Sequence, residues 1–174
     1  MRSLGLVVAL SLAFVLVAFP AAARSIDDPT WDSPRWPKNT LTTSPLMLVG
    51  AFNLQYERAI TERIALYAGP LYLNWDIDDL ELDLWMVDFG ARFFASGQAP
   101  EGFFVSPGVM LAFGTVDDEP VRGSGWLATF LFGYTWLLDR TFDISVGIGG
   151  AYVGFDKMEA KILPFGRAAV GAAF

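Results

Sequence analysis

From Leu46 to Phe174 apolar and polar residues alternate with a period of two, in segments separated by short polar interruptions. The final segment shows the pattern: Ala168, Val170, Ala172 and Phe174 share one face of an extended strand, and Arg167 and Gly171 share the other. Strands are predicted over 46–58, 63–75, 80–94, 101–116, 124–137, 142–155 and 162–174. Each is near or above the roughly 9–11 residues that a tilted strand needs to cross a bilayer.

The connections fall into two alternating kinds. Ala59 to Glu62, Ala95 to Pro100 and Leu138 to Thr141 are tight or weakly charged, whereas Asp76 to Asp79, Asp117 to Gly123 and Asp156 to Lys161 are rich in charge. Outer-membrane barrels keep short turns in the periplasm and larger loops outside, so the acidic set is expected at the cell exterior. Seven strands ending in the periplasm would start outside, while single-chain bacterial barrels have an even strand number. An eighth strand is therefore expected before the first clear one, around Thr40 to Leu48, or else residues 24–45 form a leader that rises through or beside the barrel.

The first 23 residues have a different character. Met1-Arg2 is a positive start, Leu4 to Phe19 an apolar run, and Ala21-Ala22-Ala23 a small-residue site that would be cut before Arg24. The expected division is a signal peptide over 1–23, a leader over 24–45 and an outer-membrane β-barrel over 46–174. Pro29, Pro34 and Pro37 make the leader read as extended chain.

Composition narrows the chemistry. Of 174 residues, 53% are hydrophobic and 15% aromatic, yet after the N-terminal segment no uncharged run reaches the roughly 18 residues of a membrane helix. The net charge of −7 disfavours nucleic-acid partners. Cysteine and histidine are both absent, which removes disulfides, thiol nucleophiles, the commonest metal ligand and every Ser-His or Cys-His arrangement. Gly147-Ile148-Gly149-Gly150 lies inside an alternating segment with no following helix and no Lys, so it is packing and not a nucleotide loop.

Alternation also assigns faces. Placing Trp85, Val87, Phe89, Ala91 and Phe93 outward puts Met86, Asp88, Gly90 and Arg92 inside; the opposite phase would put Arg on lipid at about 2–4 kcal/mol. The same test places Asn53, Gln55 and Glu57, then Ser106, Gly108, Met110 and Gly114, then Asp143, Ser145, Gly147 and Gly149, and finally Arg167 and Gly171 inside. Over 63–75, with Tyr67 and Trp75 opposed to Tyr72 and Asn74, either phase fits. Strand direction gives heights: Glu57, Arg92 and Asp143 form one expected interior charge group near the periplasmic end, and Asp88 with Arg167 a second one higher up. Burial of these charges requires pairing across the lumen. Asp76, Asp78, Asp79, Glu81 and Asp83 supply hard oxygen ligands in one loop and strand start, a candidate Ca²⁺ or Mg²⁺ loop that lacks the Gly and final Glu of a helix-loop-helix calcium site. A solvated acidic loop is the simpler reading of the same residues.

The string Leu48 to Pro70, with Tyr56-Glu57-Arg58 before a turn, resembles the opening hairpin of small eight-stranded outer-membrane barrels of unknown function. Phe89-Gly90-Ala91-Arg92-Phe93-Phe94 and Glu101 to Gly108 are similar to the middle hairpin of that family. The resemblance covers most of 46–174 and implies an all-β, antiparallel up-and-down transmembrane barrel of eight strands in the bacterial outer membrane, contacting lipid. Lipid A deacylases and palmitoyltransferases share the barrel type, but their His-containing sites have no counterpart in a chain without histidine. The expected role is non-enzymatic, structural or in surface interaction through the acidic loops, with no cofactor. The alternative is a narrow pore or carrier for a small or apolar molecule; an envelope hydrolase lacks a recognisable nucleophile and base.

Overall fold

The structure is a computed structural model and describes residues 31–45, 51–77, 80–116, 119–120, 125–154 and 161–174. The proposed signal segment and Asp78, Asp79 and Asp156 to Ala160 lie outside the described residues. The strands are β1 (Asn39–Thr43), β2 (Ala51–Ala59), β3 (Ile64–Ile77), β4 (Leu80–Phe94), β5 (Gly102–Val116), β6 (Glu119–Pro120), β7 (Gly125–Leu138), β8 (Phe142–Gly154) and β9 (Lys161–Ala173). All pairings are antiparallel, and the order β4-β3-β2-β1-β9-β8-β7-β5 returns on itself through β4 and β5. This is a closed barrel of eight strands. The ninth strand, β6, is a two-residue fold-back on the end of β5, with Thr115 opposite Pro120, inside what the sequence reads as a loop.

The eighth barrel strand is β1, five residues inside the expected leader. Its sequence, Asn-Thr-Leu-Thr-Thr, carries little apolar pattern of its own, and two neighbours define it. Thr40 stands opposite Glu57 on β2 and Ala173 on β9, and Thr42 opposite Gln55 and Gly171. The seam is tied at the chain end, where Asn39 N–H donates to Phe174 O and Phe174 N–H donates back to Asn39 O, both at 2.9 Å.

Three tight connections gather at one end, called here the turn end. In 60–63 the Thr61 hydroxyl accepts from Arg63 N–H and Ile64 N–H at 3.2 and 3.0 Å. Asp139 and Arg140 both have positive φ, 51° and 58°, the twist that a two-residue hairpin between right-twisted strands requires. Residues 95–101 make the third connection, and the opposite end is the loop end. Residues preceding β1 fold against the turn end. The Trp36 indole N–H donates to Ala99 O at 2.8 Å, and Trp31 packs on the cluster of Ala59, Ala65, Phe94, Ala99 and Phe104. Four of those five residues are inward strand positions, so the two tryptophans floor the lumen.

The distribution of side chains is inverted relative to a water-soluble fold. Outward residues are large and apolar, with Trp85 and Ile148 each 57% exposed and Phe132 53%. Inward positions include Thr40, Thr42, Asn53, Gln55, Glu57, Asp88, Arg92, Ser106, Thr129, Thr135, Asp143 and Ser145, all buried. In β3, where the sequence left the phase open, Tyr67 is buried while Tyr72 lies outside, its ring 4.7 Å from that of Trp85. Gly114 closes the inward row of β5 at the loop end, where it is exposed.

Trp36→Ala removes a buried ring and leaves Ala99 O without its donor. The expected loss is about 3 kcal/mol of unfolding free energy, measured by urea denaturation of the refolded protein.

Candidate functional site: a charge network across the lumen

β2 supplies Gln55 and Glu57, β4 supplies Asp88 and Arg92, and β9 supplies Arg167, all from inward positions two or four residues apart on their strands. In so narrow a cylinder the inward side chains of opposite walls meet. Arg92 Nη1 lies 2.8 Å from Glu57 Oε2, and Arg167 Nη1 lies 3.5 Å from Asp88 Oδ2. Gln55 joins the two pairs. Its Oε1 accepts from Arg92 Nη2 at 3.3 Å and from Arg167 Nη2, and its Nε2 donates to Asp88 Oδ2 at 3.4 Å. Asp143 apart, the two interior groups expected from strand heights are thus one connected network.

Two aromatic rings complete the layer. Arg92 Cζ stands 4.6 Å from the Phe104 ring centre and 5.6 Å from that of Tyr67, which Arg167 Cζ approaches to 5.9 Å. A guanidinium over a ring face gains cation–π attraction that strengthens where water is excluded. Tyr67 lies along the inner wall over Gly90 and Gly108, its register neighbours on β4 and β5; a Cβ at either position would meet its hydroxyl at 2.5 or 2.2 Å. Phe104 likewise lies against Gly133, where a Cβ would meet its ring at 2.4 Å. These glycines are the space that the rings occupy.

Asp143 stands apart from the ion pairs. It is 0% exposed, on the inner face of β8, and neither carboxylate oxygen has a hydrogen-bond partner or an ion-pair partner among the described residues. The structure therefore buries Asp143 in the same lumen as Glu57 and Arg92 without joining it to them by a direct contact. In the acidic loop, Asp76 and Glu81 face each other in the β3–β4 register, while Asp78 and Asp79 lie outside the described residues. Asp83 is exposed near the loop end of β4.

Gln55 has the clearest missed role. Its alternation with Asn53 and Glu57 places it inside, but its partners depend on the stagger of strands around the barrel, which one sequence does not display. Tyr67 and Phe104 were hidden for a related reason: an aromatic reads equally well as outward wall or lumen filling.

A model for proteins of unknown function, DUF3575, matches residues 39–165. The chain belongs to the DUF3575 family. The match begins at the first residue of β1 and stops within β9, so the family's common unit is the barrel and the tryptophan floor precedes it. No curated protein matches the chain, and no solved structure matches it.

Arg92→Met strands the Glu57 carboxylate in the lumen and should cost about 3–5 kcal/mol, with Glu57→Gln in the same chain restoring part of the loss. Arg167→Met should cost less, since Arg167 is more exposed than Arg92 (12% against 3% of the side chain). Urea unfolding of the three variants checks both statements. Gly108→Ala should destabilise the barrel by about 1–3 kcal/mol through collision with Tyr67, and Tyr67→Leu in the same chain should relieve it.

Proposed function

We propose that this DUF3575 protein is an integral outer-membrane β-barrel of a Gram-negative bacterium, with a non-enzymatic role in envelope structure or in surface interaction through its loop end. The observation that carries this reading is the inversion of burial. A wall bearing Leu41, Leu54, Leu66, Trp85, Val87, Phe89, Phe130, Phe132 and Ile148 at 38–57% exposure far exceeds the apolar patch that a soluble monomer tolerates. The same wall is well matched to hydrocarbon.

The order of residues along the wall supports a membrane of ordinary thickness. At the loop end Tyr72 packs on Trp85, and Trp126 lies 5.7 Å from Tyr152; at the turn end Tyr134 contacts Trp136 at 4.7 Å and Phe103 at 5.2 Å. Between these belts the outward positions of β7 and β8 are Ala128, Phe130, Phe132, Ile148 and Gly150, without Trp, Tyr or charge. Amphipathic aromatics at both edges of an apolar band are the arrangement that interfaces favour. Trp126 and Trp136 are separated by ten residue steps on β7. At a rise of ~3.4 Å and a tilt of ~40° that is about 26 Å along the barrel axis, close to the ~25 Å band of outer-membrane barrels. The outward charges whose side chains are described, Arg58 and Asp83, sit at opposite ends of the wall, outside the belts.

A second reading, carriage of a small apolar molecule, draws on the loop-end half of the lumen. There Leu84, Met86 and Ala112 pack with half-buried Leu71, Leu73 and Leu127, and no described charge faces inward. Passage through the barrel is disfavoured by the Gln55 network, by the Tyr67 and Phe104 rings packed on its guanidiniums, and by the tryptophan floor.

Folded protein should cofractionate with outer membranes and migrate faster on gels before heating than after. In bilayers its tryptophan fluorescence should be quenched by brominated acyl chains, with Trp85→Phe and Trp126→Phe removing much of the quenching. Recovery as a soluble periplasmic monomer would overturn the proposal. Planar bilayers containing the protein should show no steady openings; reproducible conductance, or a copurified lipid within the barrel, would favour the second reading.

A further inference from the structure

The described lumen holds three carboxylates, Glu57, Asp88 and Asp143, and two guanidiniums, Arg92 and Arg167. Arg92 is matched to Glu57 and Arg167 to Asp88, so one negative charge remains, and it falls on Asp143. Both oxygens of that carboxylate are buried and unpartnered. Ser145 lies two residues along β8 on the same face, and Thr135 is its register partner on β7. Their hydroxyls are also buried and also have no partner. Gly171, opposite Asp143 on β9, brings no side chain to satisfy it. Four orphaned oxygen atoms from three neighbouring residues thus coincide with a deficit of one positive charge; the other polar lumen atoms without a hydrogen bond, on Glu57, Asp88 and Arg92, belong to side chains in ion pairs.

We propose that Asp143, Ser145 and Thr135 bind one monovalent alkali cation near the turn end of the lumen. Carboxylate and hydroxyl oxygens are hard donors, suited to a hard cation. A water molecule would satisfy the hydrogen bonds but leave the buried charge, which is costly in a low-dielectric interior. A proton would remove the charge, but no hydrogen bond joins these three side chains as they stand, so the protonated carboxyl would still lack an acceptor. A cation does both. Among the described residues no three carboxylates converge, and a divalent ion would overshoot the deficit, so the site is matched to a single positive charge. The assignment rests on lumen geometry and charge and is independent of where in the cell the barrel resides.

The test is urea unfolding of the full chain refolded in zwitterionic detergent micelles, in NaCl and in choline chloride at equal ionic strength, at pH 6 and pH 8. Na⁺ should stabilise the wild type saturably, raising the folded-to-unfolded ratio about 100-fold when Na⁺ exceeds its dissociation constant 100-fold. Asp143→Asn should abolish the dependence on Na⁺, and Ser145→Ala should weaken it. If Asp143→Asn does not fold, the comparison of Ser145→Ala with wild type decides. Equal wild-type stability in the two salts overturns the proposal, in favour of a proton if stability rises at pH 6 and of water if it does not. Na⁺ dependence that survives unchanged in the variants also overturns it, because the ion then sits elsewhere.

Discussion

The narrowness of an eight-stranded cylinder governs everything inside this protein. Its interior admits about one layer of side chains, so an inward residue packs on its neighbours and also on residues from the opposite wall. A long side chain on one strand demands small residues where it lies over the neighbouring strands. Tyr67 over Gly90 and Gly108, and Phe104 against Gly133, are that demand met in sequence. The same confinement excludes bulk water from the middle of the lumen, which makes a lone charge untenable and draws Glu57, Gln55, Asp88, Arg92 and Arg167, from three strands, into one set of contacts.

How much of this is legible in the sequence depends on whether a wrong assignment would carry a penalty. In β4 it would: shifting the phase by one residue moves Asp88 and Arg92 to the outer wall and Trp85, Phe89 and Phe93 into the bore. In β3 the residues that differ between phases are aromatic or aliphatic through most of the strand, its polar Asn74 and Asp76 lying only at the loop end, and a shift carries no comparable cost. The structure decides it through Tyr67, which finds two glycines and two guanidiniums on the inner side. β1 illustrates a different limit. Five residues with a single outward Leu41 hold no periodic signal, and the parity of strand number is the stronger clue to its presence. The tryptophan floor is not legible in the sequence because Pro34 and Pro37 mark the residues around Trp36 as non-strand, which is true and says nothing of where the indole goes.

Charge placement shows the same division. Alternation identifies which charges face inward, because that depends on odd and even positions alone. Which charge meets which depends on height, and height depends on the stagger between neighbouring strands. Rough heights separated Asp88 and Arg167 from Glu57 and Arg92, but Gln55 at an intermediate level bridges them. A neutral amide with one acceptor and two donor hydrogens can link two guanidiniums to a carboxylate without adding net charge. A third carboxylate at that position would have required another cation.

The lumen is therefore graded along its axis. Toward the loop end it is lined by Leu71, Leu73, Leu84, Met86, Ala112 and Leu127; its middle is occupied by paired charge; its turn end is floored by Trp31 and Trp36. These three zones support one another physically. The tryptophan floor and the apolar half keep water from the ion pairs, which raises the strength of each contact and also the cost of breaking it. The ion pairs in turn fix β2, β4 and β9 at mutual heights that apolar contacts alone, being non-directional, would leave free to slip. An all-apolar filling could match this stability, as buried ion pairs often give no net gain over well-packed hydrocarbon. What the polar layer adds is register: a two-residue slip of β4 against β2 would preserve the inward and outward faces but would separate Arg92 from Glu57.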